Sequence, residues 1–189
     1  GPRFAVASIL AALDYRKRTG RGVHLDMSQL ETSLHFSAPF LLDYSVNGRE
    51  QGRRGNQEPG AAPHGVYPCK GEDRWIAIAC YSDEEWQSLA QLMAPEDWDP
   101  ALREQFSTLL GRKSREVELD RMIAGWTKNH DGRELANPLQ DAGVPAGPVN
   151  DCRDLFADPQ LVHREHFRYL DHPEMGPYPS DQSEFDLSK

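Results

Sequence analysis

The sequence predicts an α/β fold in two parts. Three observations predict it. Over residues 2–46 the apolar spacing runs helical, then alternating, then helical again, which is part of an α/β layer. Residues 47–63 have no hydrophobic period and hold Gly48, Gly52, Gly55, Gly60 and Pro59 with Arg49, Arg53 and Arg54, the mark of a linker and boundary. Residues 64–150 then carry two strand-like runs followed by helical patterns.

Each element has a local reason. Residues 2–17 read as an Ala-rich helix with apolar Phe4, Val6, Ile9, Leu10 and Leu13. Its basic end, Arg16-Lys17-Arg18, suits the helix dipole, and Gly20 and Gly22 stop it. Val23–Met27 alternates apolar and polar, as a short strand does. Ser28 and Glu31 form a capping box, opening a helix from about Gln29 to Val46 that is expected to bury Leu30, Leu34, Phe36, Phe40 and Leu41. His64–Tyr67 and Trp75–Cys80 read as strands joined by a turn at Lys70–Arg74. Ser82 and Glu85 form a second capping box, for a helix through Trp86, Leu89 and Leu92 that Pro95 ends. Helices follow at 101–110, 114–128 and 132–142, with Ser114 read as a cap, the last helix capped by Asp131 and closed by Gly143. Val144–Val149 is a Pro-interrupted edge strand. Short helices at 151–157 and 159–166 and a strand at Phe167–Leu170 lead to a tail from Asp171, expected to be extended.

Composition narrows the function classes. The 189 residues are 38% hydrophobic and 27% charged, with a net charge of −9, which disfavours nonspecific binding to nucleic acid or an anionic membrane. The mean hydropathy of −0.69 implies much exposed surface, or surface meant for a partner. No apolar run approaches the roughly 18 residues a membrane span needs. Cys69, Cys80 and Cys152 lack CxxC spacing, so neither a disulfide framework nor a zinc site is expected; buried or half-buried thiols in a reducing cytoplasm are. His163 and His166 stand three apart with no third ligand nearby, so no metal is expected. There is no G-x-S-x-G elbow, and Cys80 reads as a half-buried bystander rather than a nucleophile.

The stretch from Gly55 to Gly71 carries glycines and prolines and feeds a strand, which places bare backbone where a ligand can approach. Together with Ile9-Leu-Ala-Ala-Leu13, Arg18-Thr-Gly-Arg-Gly22 and Gly143-Val-Pro-Ala-Gly-Pro-Val149, it resembles the class III CoA-transferases, from about Ile9 to about Leu187. The resemblance implies that residues 1–46 end a large Rossmann-like, CoA-binding domain. Residues 47–63 would be the linker, 64–150 a small α/β domain, and 151–189 a returning segment and extended tail. It implies interlocked homodimers, acyl-CoA and a carboxylic acid as substrates, and no tightly bound cofactor.

The resemblance also implies a mobile lid over the acyl group at residues 59–65, with Gly60, Ala61, Ala62 and His64 in the site. Fixed backbone donors would stabilise the oxyanion of thioester attack. The family's glycine run is here Pro59-Gly60-Ala61-Ala62-Pro63, and two prolines stiffen it. An ordinary interdomain turn, and a strand-edge His64 without a role, are the alternative readings. Arg16 and Arg18 would meet CoA phosphates, although a basic helix end needs no ligand to be stable. The family's nucleophile, an aspartate that becomes an aspartyl-CoA thioester, would precede Gly1; Asp14 and Asp26 do not match its motif. Two other functions stay open. An acyl-CoA racemase of the same superfamily would carry a glutamate near Ser82, and a non-catalytic scaffold or interaction module would need no nucleophile at all.

Overall fold

Local signals set the helices of residues 1–54 in the computed structural model, which describes residues 1–93 and 98–182. Helix α1 (Pro2–Thr19) begins with proline and ends at Gly20, whose φ of 71° is the left-handed conformation glycine adopts freely. Val23–Met27 is not the expected strand: no partner pairs with it among the described residues, and an unpaired strand has nowhere to send its backbone hydrogen bonds. The expected helix over 29–46 is two, α2 (Gln29–Leu34) and α3 (Ala38–Asn47). Pro39 lies in the first turn of α3, where its missing N–H is harmless and its ring ends any continuous helix. Nor does this pair bury its apolar side chains; Leu30, Leu34, Phe36, Phe40 and Leu41 are all exposed, Leu30 at 70%.

The chain divides into two units between Arg54 and Gly55, inside the glycine- and arginine-rich stretch. In the second unit, strands β1 (His64–Pro68), β2 (Trp75–Ala79) and β3 (Ala146–Pro148) form an antiparallel sheet in the order β1-β2-β3. The registers His64↔Ala79 and Ile76↔Pro148 put Ile76 and Ile78 of the central strand on one buried face. Pro148 is tolerated because β3 is an edge.

Helices cover that face. Helix α4 (Asp83–Leu92) opens with the full Ser82–Glu85 capping box. The expected helix over 101–110 is again two, α5 (Pro100–Phe106) and α6 (Leu109–Ser114), because the Thr108 hydroxyl takes the Gly111 N–H and starts a new helix. Ser114 is not a cap; its hydroxyl donates to the Gly111 carbonyl within α6. Helices α7 (Glu116–Thr127) and α8 (Gly132–Asp141) follow, α8 capped by Asp131. Ile76, Ile78, Leu89, Phe106, Leu119, Ile123 and Leu139 join in one core. Each such side chain contributes about 1.5–3 kcal/mol on leaving water. The expected role of Pro95 lies outside the described residues.

Helices α9 (Cys152–Phe156) and α10 (Pro159–His163) follow. Residues from Asp171 do not run as an extended tail: β4 (Phe167–His172) pairs antiparallel with β5 (Gly176–Asp181) as a hairpin. In a two-stranded ribbon both strands are edges, so Pro177 and Pro179 fit. Cys69 and Cys80 are buried, but Cys152 is exposed at the start of α9 rather than half-buried.

Candidate functional site

The segment before β1 is built as a turn with one exposed and one buried limb. Glu58 and Ala61 form a bridge, with the Ala61 N–H donating to the Glu58 carbonyl at 3.3 Å. Gly60, at the apex, is exposed, and no atom lies within 4 Å of where a side chain would start. Ala61 and Ala62 are at 0% exposure. The Ala62 N–H donates to the Cys80 carbonyl at 3.1 Å, and the Cys80 N–H to the Pro63 carbonyl at 2.8 Å. These bonds continue the β1–β2 ladder backward into the turn. The lid expected over 59–65 is therefore anchored through Ala61–Pro63. The exposed part lies upstream, through Gly60.

His64 follows at the start of β1, half-buried. Its Nδ1 contacts the Asn56 carbonyl, and its ring meets Tyr81 edge-on with centroids 5.9 Å apart. Two clefts border the His64–Val66 strand. One, of about 260 Å³, is walled by Asn56, His64, Ala77, Ala79 and Pro145. The other, of about 430 Å³, lies toward α7 and is walled by Gln57, His64, Val66, Val117, Asp120 and Arg121. The structure thus brings Gly60, Ala61, Ala62 and His64 into one turn and strand start.

Titratable groups line the larger cleft that the sequence did not single out. The Tyr67 hydroxyl donates to Asp120 Oδ1 at 2.7 Å. Burial pushes the Asp120 carboxyl up, against the pull of that hydrogen bond, and burial with the facing Asp120 pushes the Tyr67 hydroxyl far up. Nothing local marks Asp120, which reads as an ordinary polar position of a helix. Cys80 lies at 0% exposure, and burial pushes its thiol up to about 12, so it is no nucleophile near neutrality.

The other expected site residues fall elsewhere. Arg16 and Arg18 lie in the last turn of α1, both exposed, and Arg18 pairs with Asp14 at 2.9 Å. Residues two apart on a helix point to different sides, so the two guanidiniums do not form one cradle by themselves. Asp26 is exposed in an irregular stretch. Ser82 is committed to its capping box, and neighbouring Asp83 pairs with Arg112 at 2.8 Å. Among the described residues no group of three or more potential ligands could hold a metal, and no helix is long and apolar enough to cross a membrane.

Known proteins place this architecture. The sequence matches the model of CoA-transferase family III over residues 1–189. It is 33% identical over 166 residues to a probable CoA-transferase of Mycobacterium tuberculosis, Rv1866, covering 87% of this chain and 20% of that protein. It is 30% identical over 173 residues to the succinyl-CoA–D-citramalate CoA-transferase of Chloroflexus aurantiacus, covering 92% of this chain and 42% of that one. A CAIB/BAIF family protein of Brucella suis superposes with a TM-score of 0.80 at 28% identity, over 98% of this chain and 47% of that chain. The chain spans less than half the length of the relatives it matches.

Proposed function

Because this chain belongs to CoA-transferase family III, we propose that it is part of an enzyme that moves CoA between carboxylic acids through an aspartyl-CoA thioester, with the aspartate supplied from outside residues 1–189. The carboxylate attacks the acyl-CoA carbonyl and the thiolate leaves, giving a mixed anhydride. The thiolate re-attacks the aspartyl carbonyl, releasing the first acid and leaving aspartyl-CoA, and an incoming acid runs the sequence backward. What this chain contributes is the turn at Gly60. Its apex is exposed while its exit limb is fixed in the core, and that asymmetry is the observation that carries the reading. The amides of Ala61 and Ala62 are already committed, so oxyanion donors from the loop would come from its exposed limb, up to Gly60. His64 borders both clefts and would face the acyl group or the acid; Arg16 and Arg18 would meet CoA phosphates, Arg18 by releasing Asp14.

The substrates of this reading are an acyl-CoA and a carboxylic acid, and a homodimer is the proposed assembly. Exposed Phe4, Ile9, Leu10, Leu13, Phe40 and Leu42 support a surface that a further part of the fold covers. The racemase reading would need a free carboxylate after β2: Glu85 is engaged in a cap and Asp83 by Arg112, which leaves exposed Glu84 as its candidate.

The test is mass spectrometry of the full-length protein after incubation with an acyl-CoA. The expected result is a CoA adduct on one aspartate that hydroxylamine discharges. Deuterium entering the α-position of the acyl-CoA without an acid acceptor, and no adduct, would favour the racemase instead.

A further inference from the structure

Helix α6 holds both ends of the Gly60 turn through two adjacent side chains. Arg112 is at 0% exposure, where a guanidinium is stable only if its donors are met. Its Nε donates to the Ala62 carbonyl at 2.6 Å, one terminal nitrogen to the Phe106 carbonyl at 3.0 Å, and the other to Asp83 Oδ1 at 2.8 Å. The guanidinium carbon also sits 5.6 Å from the Trp86 ring centroid. The next residue, Lys113, donates through Nζ to the Glu58 carbonyl at 3.1 Å and is itself held by both oxygens of buried Glu116, at 2.7 and 2.8 Å.

The approach of α6 has a local cause. A side chain on Gly111 would begin 1.7 Å from the Gln105 carbonyl oxygen, so only glycine lets α6 seat this closely against the end of α5. The inner grip on Ala62 and the outer grip on Glu58 bracket Pro59, Gly60 and Ala61. The carbonyl of Glu58 accepts from both Ala61 N–H and Lys113, so the turn is closed and tethered at one atom.

We propose that Arg112 and Lys113 are positioning residues that fix the Gly60 turn in one shape before substrate arrives. Neither touches the reacting atoms; both act through backbone carbonyls. The inference rests on the reading that this turn covers the thioester. The chemistry it predicts is pre-organisation: loosening the turn leaves acyl-CoA binding nearly intact and slows transfer, since a misplacement of about 1 Å costs on the order of a hundredfold in rate.

The test uses the full-length protein and the double variant K113M/E116Q, which removes the outer grip without leaving a buried unpaired carboxylate. Amide hydrogen exchange is expected to rise about tenfold or more at Ala61, with Ile78 unchanged. Its kcat is expected to fall by about ten- to thirtyfold, with KM for the acyl-CoA within about threefold. R112K probes the inner grip by the same two readouts, and if it does not fold, K113M/E116Q decides alone. Unchanged exchange at Ala61, or raised exchange with unchanged kcat, overturns the inference while the transferase reading stands. A wild-type protein that transfers no CoA between any pair of acids brings down that reading, and positioning for transfer with it.

Discussion

Residues 1–54 and the unit that begins at Gly55 are built from the same local signals and end differently. The first has well-stopped helices, a left-handed Gly20 after α1 and a left-handed Gly48 after α3, yet Thr32 is its one buried residue. The second has equally ordinary caps but closes a core around Ile76, Ile78, Leu119 and Ile123, all at 2% exposure or less. Capping decides where helices start and stop, whereas burial decides what holds them. The surface of the first unit is apolar in kind and uncovered in fact, while the turn at Gly60 takes its fixed limb from the core of the second.

The strongest way to break this comparison is a pair of truncations. Ile78→Ala opens a cavity in the core and is expected to cost about 3–4 kcal/mol in urea unfolding. Leu10→Ala, at a side chain 61% exposed, is expected to stay within about 0.5 kcal/mol. Equal losses would mean that the apolar face of α1 is buried in solution after all.

That contrast also explains what was legible in the sequence. The Ser82–Glu85 box and the Asp131 cap depend on neighbours within a few residues and stand where the spacing placed them, and the proline-bearing edge strand expected over Val144–Val149 forms over Ala146–Pro148. Val23–Met27 alternates as a strand should, but a strand is a relation between two segments and its partner is not among the described residues. Pro39 opens α3, but the continuous apolar spacing over 29–46 reads as one helix. The hairpin at Phe167–Asp181 was hidden because prolines read as a tail until a partner shows which side of the strand they face. At the site, the glycine and prolines of the turn were readable. Arg112 was not: Arg112-Lys113 looks like a solvated pair, and only the third dimension puts one of them at 0% exposure on a loop carbonyl.

Caps sharpen the comparison at a smaller scale. Ser82→Ala removes half of a complete box on a helix whose Trp86 and Leu89 are buried, and is expected to cost about 1–2 kcal/mol. Ser28 also accepts from the Glu31 N–H, but α2 contributes only Thr32 to any interior, so Ser28→Ala is expected to cost about 0.5 kcal/mol. Urea unfolding of both variants checks the difference. A larger loss at Ser28 would mean that α2 supports more of the molecule than its exposure implies.

The smallest effect has opposite signs in the two regions. Asp43, on α3, is half-buried; hydrogen bonds from Asn47 and Gln51 hold its carboxyl below the ordinary 3.8. Its folded form releases its proton more readily than the unfolded chain. The stability it adds is therefore present above 3.8 and is lost as pH falls through the lowered value. Asp120, between α7 and β1, is half-buried, and burial raises its carboxyl above 3.8 despite the Tyr67 hydrogen bond. Its folded form holds the proton more tightly, so its contribution is full below 3.8 and is lost as pH rises through the raised value. Asp120→Asn keeps an acceptor for Tyr67 and cannot ionise. Subtracting its stability–pH curve from that of the wild type is expected to leave a difference that declines with rising pH above 3.8 and then levels; the same subtraction with Asp43→Asn declines with falling pH. Curves of the same sign would show that burial does not govern the Asp120 carboxyl, and the cleft beside His64 would then be an open surface rather than a partly desolvated site.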